Sequence, residues 1–113
     1  MSAISLRIDL EAGVRIGPGK VELLELIAAH GSISAGARLM NMSYRRAWML
    51  IEEMNQLFRK PVVLARKGGQ RGGGAELTPV GLAIVARYRA IERAAEAAAA
   101  PHVAALRREI GSD

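Results

Sequence analysis

The sequence contains no cysteine, which excludes disulfides, thiolate metal sites and cysteine nucleophiles. Aromatic residues are scarce, with one Trp, two Tyr and one Phe among 113 residues. Any core is therefore built from Leu, Ile, Val, Met and Ala. No apolar run approaches the roughly 18 residues that a membrane-spanning helix needs. The opening residues MSAISLRIDLE carry charges and no continuous apolar stretch, so a secretory signal is not expected and a cytoplasmic protein is. His30 and His102 stand isolated, and no Ser-His-Asp set or carboxylate pair is arguable. Neither catalysis nor a metal or cofactor site is expected.

What is present suits one globular domain, with half of the residues hydrophobic and 24% charged. The net charge is +5, and its placement is uneven. The window 38–71 holds eight basic residues, among them Arg38, Arg45, Arg46, Arg66 and Arg71, against two acids, Glu52 and Glu53. The rest of the chain sums to −1. A concentrated patch of this kind suits a polyanion, although a solvated basic surface has the same composition.

Residues 4–11 alternate strictly, with Ile4, Leu6, Ile8 and Leu10 on one face, and read as a half-buried strand. Gly13 and Gly17-Pro18-Gly19 end the extended region. Val21, Leu24, Ile27 and Ala28 then recur at helical spacing over 20–30, closed by Gly31. Ser32 and Ser43 are N-caps for two further helices, the second running to about Phe58. Two short β-prone runs, 62–65 and 75–78, flank the glycine-rich segment RKGGQRGGG and read as a hairpin. Thr78 caps, and Pro79 opens, a long helix that Pro101 should kink or break. The order strand, three helices, hairpin, long helix describes a mainly α protein with a small β-sheet. It fits a winged helix-turn-helix over 1–78 and a long helix over 79–113.

The helix that starts after Ser43 is sharply two-faced. At about 100° per residue, Ala47, Leu50, Ile51, Met54 and Phe58 fall on one arc. Arg45, Met49, Glu52 and Gln56 fall opposite, with Arg46 and Glu53 on the flank. A recognition helix presents its first turns to the major groove, where an arginine can hydrogen-bond guanine twice. Tyr44 and Trp48 sit at the arc's edge, suited to packing or to stacking on a nucleotide. The glycine-rich segment lacks the Lys-Ser/Thr ending of a P-loop. It reads better as a wing tip or a simple surface turn, with Arg66, Lys67, Gln70 and Arg71 available for sequence-tolerant contacts. In the long helix, Leu82, Val85, Tyr88 and Ile91 form a stripe, and Ala95 lies in an alanine-rich continuation. Such a surface is best buried against a second copy, which would set two recognition helices about 34–36 Å apart.

The stretches GSISAGARLMNMSYRRAWMLIEEMNQL and RKGGQRGGGAELTPVGLAIV resemble the N-terminal DNA-binding domain of the ModE-type molybdate-responsive regulators. The helix-turn-helix is also similar to that of LysR-type regulators. The likeness runs from about residue 4 to about residue 95. It implies a winged helix-turn-helix whose leading strand joins the wing sheet, with dimerisation through the long helix. It also implies double-stranded DNA as partner. Ser34, Ser43, Tyr44, Arg45, Arg46, Met49 and the wing residues would form the contact region. Full-length members carry a C-terminal oxyanion-binding region that senses molybdate; 113 residues leave no room for it, so sensing would fall to a separate partner. Two other functions fit the same sequence: a module that dimerises with and modulates a full-length relative, and a sequence-indifferent DNA-binding protein.

Overall fold

The computed structural model describes residues 4–11, 13–69 and 72–111. The chain begins with strands β1 (Ile8–Glu11) and β2 (Val14–Ile16), followed by helices α1 (Pro18–His30), α2 (Ile33–Leu39) and α3 (Tyr44–Phe58). Strands β3 (Val63–Gly69) and β4 (Gly72–Leu77) precede the long helix α4 (Pro79–Arg108). The molecule is mainly helical, with two small antiparallel sheets.

The two sheets are separate, β1 with β2 and β3 with β4. This overturns the expectation that the leading strand joins the hairpin. Gly13, at φ 78°, turns the chain back at once, a conformation that glycine adopts without steric cost. β1 thus pairs with the chain that follows it, Ile8 opposite Ile16 and Asp9 opposite Arg15. Regular strand also begins only at Ile8. Upstream of it, the Leu6 carbonyl accepts a hydrogen bond from the Tyr88 hydroxyl at 2.8 Å instead of joining a ladder.

The helix limits follow their caps. Gly31 closes α1 in the left-handed region at φ 71°, and its N–H donates to the Ile27 carbonyl. The Gly31 carbonyl in turn accepts from the Ala75 N–H at 2.8 Å, which ties the hairpin to the end of α1. The Ser32 and Ser43 hydroxyls accept from the Ala35 and Arg46 N–H groups, as N-caps do. Residues 40–43 connect α2 to α3, with Asn41 left-handed at φ 60°. Val21, Leu24 and Ile27 of α1 meet Ala37 of α2 and Ala47, Ile51 and Met54 of α3 in one core. Leu23 rather than Ala28 completes the buried side of α1.

α4 is anchored at its start and free beyond. The Thr78 hydroxyl donates to the Pro61 carbonyl at 2.7 Å and accepts from the Gly81 N–H at 3.1 Å. Gly81 lies so close to Val62 that a Cβ would collide with its carbonyl oxygen. Ile84 and Tyr88 then continue into the core. Arg89 locks the third turn onto α1, donating to Glu25 at 2.6 and 3.1 Å and to Glu92 at 2.8 Å. Helix α4 runs unbroken through Pro101 to Arg108, so of the kink or break expected there the break does not occur. Proline removes one i→i−4 hydrogen bond there, and the alanines before it and after it sustain the helix. Thirty residues of helix span about 45 Å, which accounts for most of the 63 Å long axis of the molecule.

Two predictions follow from this packing. Gly81→Ala destabilises the fold by roughly 1–3 kcal/mol in denaturant unfolding, because the backbone carbonyl of Val62 cannot yield as a side chain can. Gly19→Ala, at a helical position with open space around it, instead stabilises by about 0.4–1 kcal/mol.

A third prediction concerns pH. Burial, and then the Glu92 carboxylate, push the Tyr88 hydroxyl above its ordinary value, against the pull of Arg89 and Arg7. The folded state therefore holds this proton more tightly than the unfolded chain. Its contribution is complete below about pH 10 and is lost as pH rises through the folded-state value. Tyr88→Phe should cost about 1 kcal/mol at neutral pH and flatten the alkaline decline in melting temperature.

Candidate nucleic-acid interface

Helix α3 is held by its apolar side and shows its polar side to solvent. Ala47, Leu50, Ile51 and Met54 are buried. Arg45, Arg46, Met49, Glu52 and Gln56 are exposed, as the helical wheel requires. The Ser43 hydroxyl, 3.0 Å from the Arg46 N–H, fixes the first turn. Neither Arg45 nor Arg46 forms an ion pair among the described residues. Their charges are thus unspent, whereas Glu53 is held near Lys20 at 3.5 Å. Met49, one turn beyond Arg45, is 50% exposed.

Tyr44 projects from the start of α3 and meets Trp48 edge-on, with ring centroids 6.3 Å apart. Trp48 is half-buried against the core and Tyr44 is exposed. Ser34, Arg38, Asn41 and Tyr44 line an open cleft of about 430 Å³ between α2 and α3. A smaller cleft, about 150 Å³, brings Ser34 and Tyr44 together with Arg66 of β3. The helical pair and the hairpin therefore share one surface. On the hairpin, Arg66 is paired with Glu76 at 2.7 Å, so its charge is partly offset. Lys67 belongs to β3, and Gln70 and Arg71 lie outside the described residues. Arg38 is the residue that sequence reasoning left out of this group. Its place in the basic window was the available signal, and its position on the exposed side of α2 supplies the rest.

The stripe proposed for self-association divides in two. Leu82 and Ile91 are exposed, at 56% and 46%, while Val85 and Ala95 are half-buried. Tyr88 is 2% exposed, packed in the core of its own chain and bonded to Leu6, so its assignment to a partner-facing surface is corrected. The residues 82, 85, 88 and 91 drift around the helix, and the drift carries Tyr88 inward. In its place Leu10, exposed at the end of β1, joins Ile8, Phe58, Val80 and Ile91 along an apolar groove of about 300 Å³ that Arg87 borders. The strict alternation of residues 4–11 had put Leu10 on the buried side.

Among the described residues no cluster of His, Cys, Asp or Glu could hold a metal ion, and no helix is long and apolar enough to cross a membrane. No protein-family model matches the chain. Individual relatives do. The chain is 50% identical over 80 residues to the molybdenum-pterin-binding protein MopB of Rhodobacter capsulatus, covering 71% of this chain and 30% of that protein. It is 40% identical over 87 residues to the molybdenum transport protein ModE of Azotobacter vinelandii, covering 77% and 32%. It is 41% identical over 85 residues to the DNA-binding transcriptional dual regulator ModE of Escherichia coli K12, covering 75% and 32%. The chain spans about a third of the length of these curated relatives. Over most of its own length, then, the chain is related to one part of the ModE and Mop proteins.

Proposed function

We propose that this chain is a winged helix-turn-helix regulator that binds duplex DNA as a homodimer and acts on molybdenum-related genes in the cytoplasm. The observation that carries the reading is the pair Arg45 and Arg46, unpaired among the described residues and exposed on the first turn of a capped helix. In this reading α2, residues 40–43 and α3 are the helix-turn-helix and β3–β4 is the wing. Residues 1–78 are the DNA-binding part and 79–113 the dimerisation helix. The relatives support it: one is named a DNA-binding transcriptional regulator, and the others carry molybdenum in their names.

Mechanistically, α3 enters the major groove with its first two turns. Arg45 donates two hydrogen bonds to a guanine, and Met49 contacts a neighbouring thymine methyl. Ser34, Ser43, Tyr44 and Arg38 lie where the phosphate backbone passes, and Arg66, Lys67, Gln70 and Arg71 make sequence-tolerant wing contacts. Glu52, farther along α3, confines the contact to the helix start by repelling phosphate. A second copy covers Leu10, Leu82, Val85 and Ile91, with Ala95 allowing close helix approach. Two half-sites about 34–36 Å apart follow from that symmetry.

Selection of bound duplexes from a random pool should yield a pseudo-palindrome. Against that duplex, Arg45→Ala should lose about 1–3 kcal/mol of discrimination at one G·C pair per half-site. Unchanged preference would remove Arg45 from the base contacts, and recovery of no sequence at all would remove the regulator reading. Ile91→Glu should convert a sedimenting dimer to monomer and leave the far-ultraviolet circular dichroism intact; a dimer that persists contradicts the assigned seam.

A further inference from the structure

A second basic cleft lies on the other side of α3 from the hairpin residues. It is about 340 Å³ in volume, and Arg7, Arg15, Lys20 and Arg46 line it together with Met42 of the α2–α3 connection. These four cations come from four separate places: the segment before β1, strand β2, helix α1 and helix α3. Three of them lie outside the basic window of the sequence, so the fold assembles a patch that no local stretch displays.

The local acids offset only two of these cations. Asp9 pairs with Arg15 at 2.9 Å, and Glu53 approaches Lys20 at 3.5 Å. The Lys20 ammonium also donates to the Arg15 carbonyl at 2.7 Å, which holds it in place beside the cleft. Arg7 and Arg46 form no ion pair among the described residues, and both are exposed. The floor is the start of α1, where Gly17 gives no side-chain cap. The first N–H groups of a helix have no partner within it. Gly19 has open space where a Cβ would stand, so packing does not require glycine there, and its absence of a side chain leaves the backbone open to approach.

We infer that this cleft binds a backbone phosphate of the duplex, with the unpaired Arg7 and Arg46 as the direct donors and the paired Arg15 and Lys20 shaping its wall. The inference rests on the DNA-binding reading and extends it to residues before α1. Arg45 and Arg46 then differ in role. Arg45 shares its face with Met49 and reads bases, whereas Arg46 turns toward α1 and fixes the helix on the strand that borders the groove. Such contacts set register and affinity and carry no sequence information.

The test is the salt dependence of binding to the selected duplex. Each lost phosphate contact reduces the steepness of log K against log[salt] by about 0.9. Arg7→Ala, which removes one contact from each protomer of the dimer, should lower the slope by about 1.8 and leave the ratio of affinities for selected and random duplexes unchanged. Arg7→Lys should restore the slope, and Arg108→Ala, a charge-matched change in the last turn of α4, should not alter it. A wild-type slope in Arg7→Ala overturns this inference while leaving the regulator reading intact. Failure of the parent protein to bind any duplex overturns both. A third arm separates a free anion from the DNA backbone, namely thermal melting in sodium phosphate and in sodium chloride at equal ionic strength. If phosphate raises the melting temperature through Arg7 and the duplex slope is indifferent to Arg7, the cleft serves a free anion and the inference fails.

Discussion

The close approach of Gly81 to the Val62 carbonyl, which leaves no room for a Cβ, holds the rest in register. Around it the end of α3, the start of the hairpin and the start of α4 are bound by directional hydrogen bonds. The Asn55 side chain accepts from the Val62 N–H at 2.8 Å, the Thr78 N–H donates to the Val62 carbonyl, and the Thr78 hydroxyl bridges Pro61 and Gly81. Buried backbone groups need such partners, because an unpaired one costs about as much as a lost hydrogen bond. With that junction closed, α3 has one permitted orientation. Its apolar side meets α1 and α2, and its arginines face outward.

That orientation gives the charge distribution its meaning. A net excess of cations would attract any polyanion. Here Arg45 lies on the outer side of α3, Arg46 borders the cleft beside α1, and Arg66 closes a cleft with Ser34 and Tyr44. The acids of the same region are tied back, Glu53 toward Lys20 and Glu76 onto Arg66. Arg38, Arg45 and Arg46 form no ion pair among the described residues, so the surface around the first turn of α3 keeps a net positive charge, suited to the phosphate chains that flank a groove. The apolar groove between β1 and α4 lies elsewhere, so the two surfaces do not compete for the same residues.

Much of this was legible in the sequence because it depends on local chemistry. Ser32, Ser43 and Thr78 each cap the helix they precede, Gly31 closes α1, and the 3.6-residue period sorts α3 into its two faces. What was not legible depends on distant contacts. The pairing of β1 with β2 hinges on one glycine turn, and alternation alone does not say which strand is the neighbour. Tyr88 belongs to a stripe that looks external, but its ring is drawn into the core and its hydroxyl reaches a carbonyl 82 positions away. Pro101 carries a strong local signal for a break, yet the alanines around it keep the helix continuous. The cleft formed by Arg7, Arg15, Lys20 and Arg46 was invisible for the same reason, since its members meet only after folding.

Duplex binding as proposed requires a docked α3 that offers its first turn to the groove. Amide chemical-shift mapping of the whole protein on addition of the selected duplex addresses that most directly. Perturbations gathered on residues 32–49, the hairpin and the start of α1 are the predicted result. Perturbations confined to the far half of α4, or none at low salt, would contradict it.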